Sequence, residues 1–351
     1  MYSSLVREID LLRRKHKFHY MQLCVTSNCL LHCTICPRTS FINAWNSMNM
    51  TMETYTNISR FFPFTENVYL SGWGEPLLNP NLLLMIRKAK EADCSVGFTT
   101  NGALLDDDKV REVIDLQTDL ISFSFAGARA ETHESIRTGS NFEHLTQTVR
   151  RVVELRRSVD SAKPNVLMLF MMTKQNVVEL PNAVELAYTL GIDGIVATNL
   201  DYAAVPLHED MKAFSLDNAN MTLTESIDEA RDMAEARGIS FHSFSLGKQS
   251  VPICTEDPLN NVYISEAGLV SPCVYLAPPM MEIPRIFCGQ ANVLQRTYFG
   301  DINKQSLFEI WNSPGYSLFR RKYERRIKNV QNSRLDDIPE VCRTCYKAYG
   351  V

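Results

Sequence analysis

Cys29, Cys33 and Cys36 stand in the run Cys29-Leu-Leu-His-Cys33-Thr-Ile-Cys36, directly after an apolar stretch. Thiolates are the ligands of iron–sulfur clusters, and a cubane usually takes four of them. Three protein ligands leave one iron open, and an open metal position is where a substrate or cosubstrate binds. Zinc is the alternative, since CxxC pairs also bind it. A closed tetrahedral zinc site, however, needs a fourth ligand that this loop lacks.

Two further groups of residues suit ligand binding. In Gly72-Trp-Gly-Glu75-Pro76, glycines let backbone approach a ligand closely, and the carboxylate of Glu75 can receive an ammonium group. Arg137, in Thr132-His-Glu-Ser-Ile-Arg137-Thr-Gly, offers a fork that matches a carboxylate with two parallel hydrogen bonds. A plain strand-to-helix turn and a surface pair with Glu134 are the bland uses of the same residues.

The elements that must position these groups alternate regularly. Strands are expected at 21–25, 67–70, 95–99, 119–125, 165–171 and 194–197. Helices are expected at 51–61 (with Thr51 as N-cap), 79–91, 106–116, 142–159 and 178–190. Apolar strands alternating with amphipathic helices predict a parallel sheet covered on its outer face. Six β/α units without a GxGxxG fingerprint suit an open, partial (β/α)6 barrel related to the TIM barrel. Chemistry in such barrels sits at the C-terminal ends of the strands. That places the cysteine loop, Gly72–Glu75, Thr100 and Asn101, Ser124, and Thr173 with Asn176 at one rim. Beyond 201 the period breaks: a loop to 214, a helix at 223–238 and a strand at 239–244 are expected. From 249 short strands and turns rich in Pro, Gly and Cys follow, closed by a helix around 307–326. The division is residues 1–19 as an extension, 20–246 as the core, and 247–351 as a small cysteine-rich domain.

The 351 residues carry a net charge of −4, with 45% hydrophobic and 22% charged residues. These are ordinary globular values, without a basic footprint for nucleic acid. Arg320, Arg321, Lys322, Arg325, Arg326 and Lys328 read as the solvated face of a late helix. No apolar stretch approaches the roughly 20 residues that span a bilayer. Residues 1–17 mix acidic and basic groups and have no apolar core, so they are not a secretory signal. Ten cysteines in such a chain read as metal ligands and free thiols in a reducing cytoplasm.

The Cys29–Cys36 pattern, with Gly72–Glu75 some forty residues on, resembles the radical SAM superfamily, and the resemblance runs from about 20 to 349. It implies that S-adenosylmethionine chelates the open iron of a 4Fe–4S cluster through its amino and carboxylate groups. One electron then splits its C–S bond to give a 5′-deoxyadenosyl radical. Gly72, Gly74 and Glu75 resemble the family's Gly-Gly-Glu contact to the methionyl amino group, with Trp73 displacing one expected glycine. Ser124 and Arg137 would bind ribose and carboxylate, with Thr100 and Asn101 as further contacts. Ile35 would lie against the adenine, where many members carry an aromatic.

The C-terminal cysteines resemble the SPASM and twitch domains that such enzymes append. Cys254, Cys273 in Gly268-Leu-Val-Ser-Pro-Cys273, and Cys342-Arg-Thr-Cys345 would ligate one auxiliary 4Fe–4S cluster. No cysteine follows Cys345 to supply a second. A zinc ribbon of these thiols is the alternative. Cys24 and Cys94 read as buried thiols. Cys288, in a Pro-rich loop, is either idle or a hydrogen donor to a substrate radical. His133 and His144 read as surface or helix residues.

The resemblance implies an oxidoreductase- or maturase-type enzyme, reduced by flavodoxin or ferredoxin, that abstracts hydrogen from a substrate C–H. Oxidation, epimerisation and peptide or small-molecule modification all remain open. Gly74–Leu78 is similar to the matching stretch of 2-deoxy-scyllo-inosamine dehydrogenases. Only 28 residues precede Cys29, which favours a small molecule or a peptide brought by another protein. A non-catalytic Fe–S or zinc protein is the reading of another class.

Overall fold

The computed structural model describes residues 17–217, 221–328 and 338–351. The N-terminal extension up to residue 16 lies outside them. A ten-stranded sheet runs in the order β12-β9-β8-β1-β2-β3-β4-β5-β6-β7. Its strands are β1 (Phe18–Leu23), β2 (Thr65–Tyr69), β3 (Ser95–Thr100), β4 (Leu120–Phe125), β5 (Asn165–Met172), β6 (Gly194–Asn199), β7 (Ser240–Ser243), β8 (Asn261–Ile264), β9 (Leu269–Ser271) and β12 (Gly300–Asp301). Pairing from β8 through β1 to β7 is parallel throughout. Two positions extend the expected six-unit barrel. β7 adds a seventh unit beside β6, and β8 pairs with β1 at Tyr20↔Asn261, so the sheet continues into the cysteine-rich segment.

Each strand splits its side chains by period two. Val68, Val96, Phe98, Ile121, Phe123, Val166, Met168 and Phe170 point outward and are essentially fully buried. They pack in one core with Met85 and Ile86 of helix Leu82–Lys90, Val110 and Val113 of helix Asp107–Asp115, and Val149 and Val152 of helix Phe142–Ser158. The inward residues are different: Tyr20, Gln22, Tyr69, Ser71, Thr99, Ser122 and Thr198 line a cavity. A parallel strand covered on both faces would be apolar on both. These strands alternate because their inner face is a polar chamber.

Capping follows the sequence. Thr51 accepts from Thr54 N at 3.1 Å to start helix Met52–Ser59, and Asp106 accepts from Lys109 N at 2.9 Å to start Asp107–Asp115.

Several expectations are corrected. Residues 201–214 are not all loop, because Pro206 supplies the first position of helix Pro206–Met211. Helix Ala130–Ile136 was too short to show a period. The late helix is two, Leu307–Asn312 and Pro314–Lys328, broken where Pro314 lacks an N–H to continue the first. Its basic run is not simply solvated. The Arg320 guanidinium lies 4.0 Å from the Trp311 ring centroid, and Arg326 is buried and donates to Ala348 O. The Pro-rich stretch holding Cys288 is an antiparallel hairpin, β10 (Glu282–Phe287) with β11 (Gln290–Gln295).

Candidate active site

The loop carrying Cys29, Cys33 and Cys36 leaves the C-terminal end of β1. The 136–138 segment holds it: His32 N donates to Thr138 O at 2.9 Å and Thr34 N to Ile136 O at 2.8 Å. On the other side, the buried imidazole of His208 meets Thr34 O through Nε2 at 2.9 Å. Cys33 is buried among Leu31, Ile35, Ile136 and Leu200, with Cys29 and Cys36 packed against them. Burial, then the neighbouring thiols, pushes Cys36 up to about 12; burial also raises Cys29. Such thiols become ligands only if a metal takes the proton's place. Buried Arg38, whose Nε has no hydrogen-bond partner, adds positive charge beside them. The donor set therefore suits an anionic cluster.

Gly72–Glu75 lies against this loop. A Cβ at Gly74 would stand 2.5 Å from the carbonyl oxygens of Thr26 and Asn28, and one at Gly72 would stand 2.5 Å from Cys24 Sγ. Glycine at Gly74 is thus what lets the motif touch the chain entering Cys29, and Glu75 N donates to Asn28 O at 2.7 Å. Glu75, Thr100 and Asn101 come together: the Glu75 carboxylate accepts from Thr100 Oγ1 at 2.7 Å and from Asn101 N at 2.8 Å. Burial raises its pKa to about 7; these donors and Arg137 oppose that shift.

Arg137 follows helix Ala130–Ile136, whose start is fixed by Glu179 accepting from Ala128 N and Thr132 Oγ1. Its buried Nε has no partner. The expected surface pair is absent, because Glu134 instead accepts from Phe142 N at 2.8 Å. His133 is no surface residue: it is fully buried, accepts from Ala126 N at Nδ1, and is held down to about 3 by burial and then by Arg137. Ser124 sits two residues beyond Ser122 on β4, on the inward face. Ile35 lines the cavity. Asn176 donates to Ala126 O and Met171 O, and its side-chain oxygen accepts from Thr173 N, so it braces loops.

Cys254, Cys273, Cys342 and Cys345 all line one second chamber, together with Tyr323, Arg285 and Lys347. Burial pushes Cys254 up to about 12 and raises the other three, with neighbouring thiols adding to Cys254, Cys273 and Cys342. Among the described residues no three His, Cys, Asp or Glu converge tightly enough for a single metal ion. Thiols spread around a chamber suit a cluster better than a zinc cage. Cys288 lies elsewhere, exposed at the β10–β11 turn, its N–H donating to Tyr346 Oη at 2.7 Å. It is not among the residues lining either chamber. Cys24 and Cys94 are buried, as expected.

The barrel cavity, of about 820 Å3, runs from Ile35 and Gly72 to Cys273. Glu256, Pro272, Cys273, Tyr275 and Lys347 wall both chambers. There Lys347 Nζ lies 3.1 Å from Asp201 Oδ2 and 3.8 Å from Glu256 Oε1. Burial would lower the Lys347 pKa, but the two carboxylates outweigh it and the net shift is upward. Sequence reasoning missed this trio, although Glu256 and Lys347 each stand two residues after a cysteine of the second set.

Residues 23–187 match the model of the radical SAM superfamily, and residues 254–346 match that of the SPASM iron-sulfur cluster-binding domain. The tungsten-containing aldehyde ferredoxin oxidoreductase cofactor-modifying protein of Pyrococcus furiosus is 27% identical over 308 residues, covering 86% of this chain and 83% of that protein. PqqA peptide cyclase of Gluconobacter oxydans is 24% identical over 287 residues, 79% of this chain and 68% of that protein. The crystal structure of Streptococcus suis SuiB bound to precursor peptide SuiA superposes with a TM-score of 0.63 at 14% identity, over 99% of this chain and 74% of that one. At that identity the likeness is one of fold.

Proposed function

We propose that this chain, which belongs to the radical SAM superfamily and carries a C-terminal SPASM domain, is a maturase that activates a C–H bond of a peptide substrate lying between its two cysteine chambers. The observation that carries the reading is the continuous cavity from Ile35 and Gly72 to Cys273. When bound, the cluster and S-adenosylmethionine supply a 5′-deoxyadenosyl radical that takes a hydrogen atom. The chain's own residues do the rest. Cys29, Cys33 and Cys36 hold the first cluster, with flavodoxin or ferredoxin as its reductant. Glu75, fixed by Thr100 and Asn101, receives the ammonium group of the cosubstrate. Arg137, its Nε free among the described residues, takes the carboxylate; Ser124 meets the ribose and Ile35 the adenine. Gly72 and Gly74 let the backbone come close enough for these contacts. Cys254, Cys273, Cys342 and Cys345 hold the auxiliary cluster, and Cys273 brings it to the substrate chamber wall.

A peptide substrate is supported by the PqqA peptide cyclase likeness and by the peptide-bound SuiB fold. Cofactor modification is the second reading, favoured by the Pyrococcus furiosus relative. All ten cysteines are free, which supports a reducing, cytoplasmic setting. Among the described residues no helix is long and apolar enough to cross a membrane. We place the domain boundary near 247, between β7 and β8.

The test supplies the reconstituted enzyme separately with a peptide fraction and a small-molecule fraction, both from source cells grown in heavy water. Deuterium in 5′-deoxyadenosine from the peptide fraction supports the reading. Deuterium only from the small-molecule fraction rejects it in favour of cofactor or metabolite chemistry.

A further inference from the structure

Arg285, on β10, is 3% exposed and lines the chamber of the four C-terminal thiols. Its terminal nitrogens donate to Val341 O at 3.1 Å and Tyr275 O at 3.0 Å, and its guanidinium lies 5.6 Å from the Tyr202 ring centroid. Nε is buried without a hydrogen-bond partner. The nearby buried cations are placed differently: Lys347 pairs with Asp201 and Glu256, and Arg296 lies beside Glu266. Arg285 finds only carbonyls. A buried guanidinium without an anion costs several kcal/mol, and a buried donor without an acceptor costs more. The chamber it faces offers four thiols, and its charge pulls the thiol pKa of Cys345 and Cys342 downward against burial.

We propose that Arg285 is the counter-ion of the auxiliary cluster: its Nε–H donates to a cluster sulfur, and its charge raises the cluster's reduction potential. This rests on the reading of Cys254, Cys273, Cys342 and Cys345 as cluster ligands. The step affected is the gain of one electron by the oxidised cluster, with no bond made or broken and no proton leaving the guanidinium. A fixed cation and a hydrogen bond to sulfur both stabilise the more negative, reduced state. Arg285 thereby makes the auxiliary cluster a better acceptor for an electron leaving the substrate chamber.

The test is a potentiometric titration of the holoenzyme followed by electron paramagnetic resonance. It follows the cluster signal that S-adenosylmethionine does not alter. Arg285→Gln is expected to weaken reduction of that cluster at least tenfold, a fall of about 59 mV for one electron. Arg285→Lys, which keeps the charge, is expected to recover part of it. An unchanged midpoint in Arg285→Gln with full iron content overturns the proposal. If Arg285→Gln fails to hold the cluster, wild-type enzyme with isotopically labelled arginine nitrogen decides. Electron-spin-echo modulation from an arginine nitrogen supports the hydrogen bond, and its absence overturns it. A wild-type enzyme without any second cluster signal overturns the ligand assignment instead.

Discussion

The indole N–H of Trp73 donates to Val274 O across 3.1 Å, tying the turn after β2 to the residue that follows Cys273. Trp73 also meets Tyr202 and Tyr275 edge-on, with ring centroids at 5.6 and 6.4 Å. The residue that breaks the glycine pattern is therefore the bridge between the two cysteine chambers. Trp73→Phe keeps an aromatic ring and removes the donor, leaving a part-buried carbonyl unpaired. The expected loss is about 1–2 kcal/mol of stability, read as a lower urea midpoint. Deoxyadenosine release not coupled to product should rise as the chamber wall loosens. An unchanged midpoint would mean that the bond contributes nothing.

Glu75 sits at the convergence of Thr100, Asn101 and the cysteine loop. Glu75→Gln keeps the volume and removes the charge that would meet an ammonium group. S-adenosylmethionine affinity should fall about tenfold to a hundredfold, roughly 1.4–2.8 kcal/mol, with iron content unchanged. Equal affinity in calorimetry would show that the carboxylate only holds the Thr100–Asn101 turn.

His133 gives a pH dependence independent of either cluster. Its native pKa is near 3 because burial, and secondarily Arg137, disfavour the cation, whereas the unfolded value is about 6.5. Below that value the unfolded chain binds the extra proton, so stability falls as pH drops from 6.5 toward 3. At pH 5 the apoprotein should lose about 2 kcal/mol relative to pH 7 on this account. In His133→Asn that part of the pH slope should vanish. A slope identical to wild type would place the titration elsewhere.

The two cysteine sets should separate by function. Cys33→Ala is expected to abolish 5′-deoxyadenosine release. Cys342→Ala should lower iron by about four per chain while slow release persists. Loss of release in both, with iron normal in one, would contradict two independent sites.

The β/α core was legible because period-two strands and capped helices are local patterns: Thr51 and Asp106 start helices where their side chains allow. Strand ends shifted by one to three residues, as at β1, where pairing to β2 and β8 sets the limits. Clustered cysteines revealed both chambers because thiols at short spacing have few other uses. What stayed hidden is non-local. Arg285 reads as an ordinary strand residue until the hairpin turns it toward four distant cysteines. His133 looked like a helix-surface residue until Phe125 and Phe142 enclosed it. Cys288 looked central only because it lies between auxiliary cysteines in sequence; the hairpin puts it at an exposed turn.

The central claim is that two clusters flank one substrate chamber. It is tested most directly by anaerobic reconstitution with iron and sulfide, metal counting, and incubation with S-adenosylmethionine and dithionite while 5′-deoxyadenosine is followed. About eight irons per chain with release of 5′-deoxyadenosine is the predicted result. About four irons with release would contradict the auxiliary cluster, and zinc with no release would contradict the enzyme.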